Sequence, residues 1–158
     1  MNSIKSELLQ IAADANRLLT SYISIHDAMF KFNWKHVIPL PFIFKPIDYP
    51  RLQGQAIAVL CQLRDCELGL KNLKLKFNSL NVPEQETHFL HFLSEYVLAL
   101  LETLLRFETM LNELRKKAED PSSYKYSEYR RHLKRYQEAV AGYHSMGGRL
   151  NELYYQLR

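Results

Sequence analysis

The sequence predicts an all-α protein, an antiparallel up-down-up-down four-helix bundle. Two observations predict this fold: apolar residues recur at alternating spacings of four and three, and prolines or short polar segments separate the stretches in which they do so. Such spacing places apolar side chains on one side of an α-helix, so each stretch is expected to bury one face. Short connections between long helices make sequence neighbours antiparallel, which gives the up-down-up-down order.

Three of the four helices carry a strict apolar repeat, which we call the heptad seam of that helix. The seam of helix 1 consists of Ile4, Leu8, Ile11, Ala15, Leu18, Tyr22, Ile25 and Met29. The seam of helix 2 consists of Leu52, Ala56, Val59, Leu63, Cys66, Leu70, Leu73, Phe77 and Leu80. The seam of helix 4 consists of Tyr129, Leu133, Tyr136, Val140, Tyr143, Gly147, Leu150, Tyr154 and Leu157. Helix 3 is the most apolar of the four and its buried face is expected to be wide, so we expect it to lie deepest in the bundle.

Capping residues set the expected ends of the helices, which should cover about 3–31, 50–80, 83–118 and 123–158. Ser3 is a candidate N-cap of helix 1, and Ser122 or Ser123 of helix 4. Pro50 suits the first turn of helix 2, with Asp48 or Tyr49 as the residue that precedes the helix. All 158 residues are expected to form a single helical-bundle domain, because the length suits one domain and 47% apolar residues can fill one core.

The sequence also indicates where in the cell the protein is expected. No charge-free apolar stretch approaches the roughly 20 residues that span a bilayer, and charged residues interrupt the amino-terminal segment where a signal peptide would be apolar. Cys61 and Cys66 lie five residues apart and so point about 140° away from each other on a helix, which disfavours a disulfide between them. We therefore expect a cytoplasmic protein with no transmembrane segment.

The connection between helices 1 and 2, residues 32–47, is rich in proline, aromatic and aliphatic residues. A long apolar connection packs onto the bundle or binds a partner, or, since Lys31, Lys35 and Lys45 flank it, lies at an anionic membrane surface. Its candidate partner-binding residues are Trp34, Leu40, Phe42 and Phe44.

Helix 2 carries a second apolar stripe, roughly 140–180° away from its seam. The stripe consists of Ile57, Cys61, Leu68 and Leu75, which complete the set of candidate partner-binding residues. Either the proline-rich connection covers this stripe or another chain does.

Helix 3 offers a candidate metal site. Glu84, His88, His91 and Glu95 are spaced by three, four and seven residues, so they share one side of the helix and their imidazole and carboxylate groups are suitable metal ligands. The stripe lies opposite the apolar face of the helix, so the competing interpretation is a solvated surface.

Helix 4 offers a candidate phosphate-binding cluster. It consists of Arg130, Arg131, Lys134 and Arg135, in a chain with 21 Lys and Arg against 17 Asp and Glu. Such a cluster can contact nucleic-acid phosphates. Glu128, Glu138 and Glu152 lie within one turn of basic residues, which favours a surface of ion pairs instead.

Two adjacent glycines, Gly147 and Gly148, stand within the repeat of helix 4. Each should weaken the helix by roughly 1 kcal/mol relative to alanine. We interpret them as the site of a close helix crossing or a kink, in preference to a ligand approaching bare backbone.

The function that these patterns favour is protein–protein contact by a non-enzymatic bundle, as an adaptor, an inhibitor or an assembly component. Its partner would be another protein or a second copy of the chain. The sequence contains no glycine-rich phosphate loop, nucleophile elbow or paired-cysteine zinc pattern, and no cofactor is predicted. The alternatives are a metal-binding or metal-dependent bundle and a basic bundle that associates with nucleic acid.

Overall fold

The computed structural model of the protein describes residues 2–35, 47–80 and 82–157, and in the described residues four helices account for all regular secondary structure. The helices are α1 (Asn2–Lys35), α2 (Tyr49–Asn78), α3 (Glu84–Glu119) and α4 (Tyr126–Leu157). The predicted all-α four-helix fold is confirmed.

Contacts between helices show that sequence neighbours run antiparallel. Nζ of Lys76, near the end of α2, lies 2.8 Å from Oε2 of Glu7, near the start of α1. Nε2 of Gln53, near the start of α2, donates a hydrogen bond of 2.7 Å to Oε1 of Glu108, in the second half of α3. The order is therefore up-down-up-down, as the short connections predict.

α3 is the central helix of the bundle, because it packs closely against α1, α2 and α4. Its fully buried residues include Val97, Leu100, Leu104 and Phe107. α3 is also the one described helix whose length and apolar composition would let it cross a membrane, and half of its most apolar window is buried inside the bundle, as in the core helix of a folded domain. The absence of a transmembrane segment stays a prediction.

The side of the bundle between α1 and α4 is open. Among the described residues, no Cα of α1 lies within 8 Å of a Cα of α4, whereas α1 approaches both α2 and α3 this closely. Large aromatic side chains fill part of the gap: Tyr22 of α1 shares a hydrogen bond between hydroxyl groups with Tyr136 of α4, and both rings pack against Phe107. The bundle is therefore skewed, with α1 drawn toward α3 and away from α4.

This opening explains why the heptad seams are buried to different degrees. Every seam residue of α2 from Leu52 to Phe77 is buried, and most of the seam of α1 is buried as well. Six seam residues of α4 are only half-buried: Tyr129, Leu133, Val140, Gly147, Leu150 and Tyr154.

The two ends of α2 differ in how well the sequence predicts them. Asp48, one of the two residues expected to precede the helix, caps it through Oδ1, which accepts a hydrogen bond of 3.0 Å from the backbone N–H of Arg51. Leu80 does not belong to the seam, because α2 ends at Asn78 and the backbone N–H of Ser79 turns back to the carbonyl of Lys76.

The predicted caps of α1 and α4 are wrong. α1 begins at Asn2, so Ser3 lies within the helix. α4 begins only at Tyr126, because Asp120 organises the preceding turn around itself. Its Oδ1 accepts a hydrogen bond of 3.1 Å from the backbone N–H of Ser122, and its carbonyl accepts one of 2.9 Å from the hydroxyl of Ser123.

The paired hydroxyls of Tyr22 and Tyr136 give a test of the contact between α1 and α4. Replacing Tyr22 by Phe leaves the hydroxyl of Tyr136 unpaired in the core, so the free energy of unfolding should fall by about 1–3 kcal/mol. The double variant Tyr22→Phe/Tyr136→Phe removes both polar groups and should be nearly as stable as the wild type. Urea unfolding followed by circular dichroism measures both, and a double variant that loses the sum of the two single effects would contradict the pairing.

Candidate functional site

Half of the predicted partner-binding residues lie in or next to the first connection. Leu40, Phe42 and Phe44 lie outside the described residues. The backbone of Trp34 belongs to α1, and its side chain is likewise outside the described part of the chain.

The other half, the second stripe of α2, lies on the surface of the bundle. Ile57, Leu68 and Leu75 expose 45%, 58% and 69% of their surface, and Cys61 is exposed and free. Cys66 is buried on the opposite side of the helix, as the spacing predicts. No described residue covers the stripe.

Two leucines of α3 extend this stripe across the neighbouring helix. Leu98 and Leu105 are 51% and 40% exposed and lie seven residues apart, at the same heptad position. The hydrogen bond between Gln53 and Glu108 fixes which sides of α2 and α3 face each other. Ile57 follows Gln53 by one turn, and Leu105 precedes Glu108 by one turn. Because α2 and α3 are antiparallel, both residues are displaced in the same direction from that hydrogen bond and lie at about the same level of the bundle.

We call the resulting surface the outer apolar face. It consists of Ile57, Cys61, Leu68 and Leu75 on α2, and of Leu98 and Leu105 on α3. Leu98 and Leu105 could not be predicted from the sequence, because they lie in the most apolar stretch of α3, where periodicity does not show which apolar residues point outward.

Two ion pairs flank the outer apolar face. Nζ of Lys71 lies 2.6 Å from Oε1 of Glu67, within one turn of Leu68. Across the face, Arg106 lies 2.6 Å from Glu102. Exposed pairs of this kind contribute about 0–1 kcal/mol each to stability.

Arg64 lies between Cys61 and Leu68 on α2, is exposed and has no ion pair among the described residues. A partner that covers the face must therefore leave its guanidinium in water or pair with it.

The four candidate metal ligands of α3 do not come together as a ligand set. Glu84, His88, His91 and Glu95 are all exposed, and Nδ1 of His91 lies 3.7 Å from Oε1 of Glu95. Within residues 2–35, 47–80 and 82–157, no group of three or more His, Cys, Asp or Glu side chains is placed to hold a metal ion. The geometry therefore gives the metal-binding alternative no support.

The basic cluster of α4 is a solvated surface with interleaved acidic groups. Arg130, Arg131, Lys134 and Arg135 are exposed, and Nζ of Lys134 lies 3.9 Å from Oε1 of Glu138. Outside the cluster, farther along the helix, Arg149 pairs with Glu152 at 2.9 Å. Glu138 lowers the positive field at Lys134, while the three arginines of the cluster have no ion pair among the described residues.

Comparison with known proteins adds no information on function: the chain matches no protein-family model, no curated protein and no solved structure.

Proposed function

We propose that this protein is non-enzymatic and acts by protein–protein contact through the outer apolar face, with a second copy of the chain as its partner. The supporting observation is the gathering of five large aliphatic side chains, each at least 40% exposed, on one face of the bundle: Ile57, Leu68, Leu75, Leu98 and Leu105. Exposed apolar residues scattered singly are ordinary, whereas a contiguous apolar patch is typical of an interaction site.

The outer apolar face can form the centre of an interface of ordinary size. On α2 it extends from Ile57 to Leu75, a span of 18 residues or about 27 Å. Two helices side by side, each about 10 Å across, present about 540 Å² over this length, and a standard protein interface buries about 800 Å² on each partner, so polar residues at the rim would contribute the remainder.

The spacing of the face suits a helical partner. Cys61, Leu68 and Leu75 follow each other at intervals of seven residues, which is the repeat by which two helices pack along a shared line. A two-fold axis across α2 would let the same stripe serve both subunits, as in most homodimers.

The test is a pair of charge substitutions, Leu68→Asp and Leu75→Asp. Each dimer would carry two unpaired carboxylates in its apolar interface, so the dissociation constant should rise by about 100-fold or more, at 1.4 kcal/mol per factor of ten. Sedimentation equilibrium of each variant measures this constant, and circular dichroism checks that helix content is unchanged.

Gln62→Asp is the matched control, since it places the same charge at an exposed position of the same helix. Gln62 shares its heptad position with Gly69 and Lys76, which contact Ile11 and Glu7 of α1, so it lies away from the outer apolar face. The proposal fails if both leucine variants associate as the wild type does, or if the control dissociates to the same extent.

A further inference from the structure

A groove of about 590 Å³ lies between α1 and α4, over the open side of the bundle. α3 forms its floor with Phe89, Leu93 and Tyr96, and α1 contributes small or aliphatic residues such as Ala12 and Leu19. Its volume falls within the range of about 300–1,000 Å³ that is typical of small-molecule sites.

The two glycines of α4 help to make this groove. Gly147 and Gly148 both line it, and a Cβ atom built at either residue would have no atom within 4 Å. The prediction of a close helix crossing at these glycines is therefore wrong. α4 continues as a helix through both residues. Gly147 occupies a heptad-seam position where a bundle normally places an apolar side chain, so the missing side chain leaves open space instead of a tighter contact.

Two tyrosine hydroxyls in the groove have no hydrogen-bond partner among the described residues. Tyr96 and Tyr143 are each 5% exposed and line the groove, and their ring centroids lie 6.3 Å apart in an edge-to-face arrangement. Neither oxygen is fully shielded from solvent, since among the described residues the one fully buried and unpaired polar side-chain atom is Nε of Arg115. Both hydroxyls are therefore open to the groove and can pair with a hydrogen-bonding group of a molecule in it.

The remaining lining defines the chemistry of that molecule. Among the described residues that line the groove there is no Lys, Arg, Asp or Glu, and the polar side chains nearer its rim include Asn16, His144 and Asn151. A charged ligand would lose its hydration without meeting an opposite charge, whereas a flat ring could pack against the tyrosine rings.

We propose that the groove between α1 and α4 is a binding site for a neutral, ring-containing small molecule with a hydrogen-bonding group. The ring would lie over bare backbone at Gly147 and Gly148, and the polar group would meet the hydroxyls of Tyr96 and Tyr143. This site lies on another side of the molecule from the outer apolar face and is independent of the function proposed above.

The test uses two fluorescent probes with the same ring system. N-phenyl-1-naphthylamine is neutral, and 8-anilino-1-naphthalenesulfonate carries a sulfonate. The neutral probe should bind the wild-type protein saturably, one per chain, and about tenfold or more tightly than the anionic probe. Absence of saturable binding of the neutral probe would overturn the proposed site, and equal affinity for both probes would overturn the proposed ligand class.

The key variant is Gly147→Leu, whose side chain would occupy the groove. It should weaken binding of the neutral probe by about tenfold or more, and its thermal midpoint should equal or exceed that of the wild type, because leucine favours a helix more than glycine does. Gly142→Leu is the matched control: Gly142 is exposed on the same helix, has no atom near its Cβ position and lies outside the groove, so this variant should bind the probe normally.

A second pair of variants tests the hydroxyl groups without changing the shape of the groove. Tyr96→Phe and Tyr143→Phe combined should lower the affinity for the neutral probe by about tenfold, which corresponds to the loss of one net hydrogen bond. Unchanged binding in Gly147→Leu, or equal loss in Gly142→Leu, would overturn the proposal. The proposal would also be overturned if Gly147→Leu changed the sedimentation mass of the protein but not its affinity for the probe. The groove would then bind a helix of another protein chain instead of a small molecule.

Discussion

Raising the pH from 10 to 12 is expected to destabilise the bundle strongly. Burial raises the pKa of Tyr96 from 10 to about 12. Burial also raises the pKa of Tyr22 and of Tyr136. Above pH 10 the unfolded chain releases these three protons while the folded chain keeps them, so the free energy of unfolding falls as the pH rises. Below pH 10 both states are protonated and the effect is absent.

The expected slope is up to about 1.4 kcal/mol per pH unit for each of the three tyrosines. For Tyr96 alone the loss accumulates to about 2 kcal/mol between pH 10 and its folded pKa near 12, because the slope is half-maximal at both ends of this interval. Urea unfolding at several pH values, followed by helix content, measures the total.

A pair of variants separates this effect from the titration of lysines. Tyr96→Phe removes one buried phenol and should make the slope shallower by up to about 1.4 kcal/mol per pH unit. Tyr155→Phe is the matched control, because Tyr155 is 74% exposed and its removal should leave the slope unchanged. A stability that stays constant from pH 9 to pH 12 would contradict the buried positions of the three tyrosines.

Leu100→Ala is expected to cost about 2–5 kcal/mol of unfolding free energy. Leu100 is fully buried in α3, the helix that packs against all three others, so its truncation should lose apolar burial and leave a cavity. Urea unfolding in dilute solution, below the concentration at which chains associate, measures this loss.

Leu98→Ala provides the comparison on the same helix. Leu98 is 51% exposed, so in the monomer its truncation should change the unfolding free energy by about 0.5 kcal/mol or less. If the two variants were equally destabilised, the assignment of the inward and outward faces of α3 would be wrong.

The sequence predicts the buried face of a helix well where its apolar residues follow a single heptad repeat. The seam of α2 is strictly spaced, and every member within the helix is buried. Leu80 continues the spacing but lies beyond the end of the helix, because periodicity does not show where hydrogen bonding along the chain stops. The cap at Asp48 depends on a local signal instead, a short polar side chain two residues before a proline.

The candidate sites were predictable only in part. The stripe of Ile57, Leu68 and Leu75 stands out because polar residues surround it on α2, whereas Leu98 is hidden in an apolar stretch of α3. Gly147 could be found in the sequence but not interpreted, since a glycine at a seam position suits a close crossing as well as a groove. The distance between α1 and α4 decides between them, and that distance depends on tertiary packing.

The central claim, self-association through the outer apolar face, is tested most directly by the solution mass of the untagged wild-type protein. Sedimentation equilibrium over a range of concentrations, under reducing conditions that keep Cys61 free, should give a mass that rises to twice the 18.7 kDa of the chain and then stays constant. A mass that remains that of one chain up to about 100 µM would contradict the account, because any self-association would then be weaker than a standard interface gives.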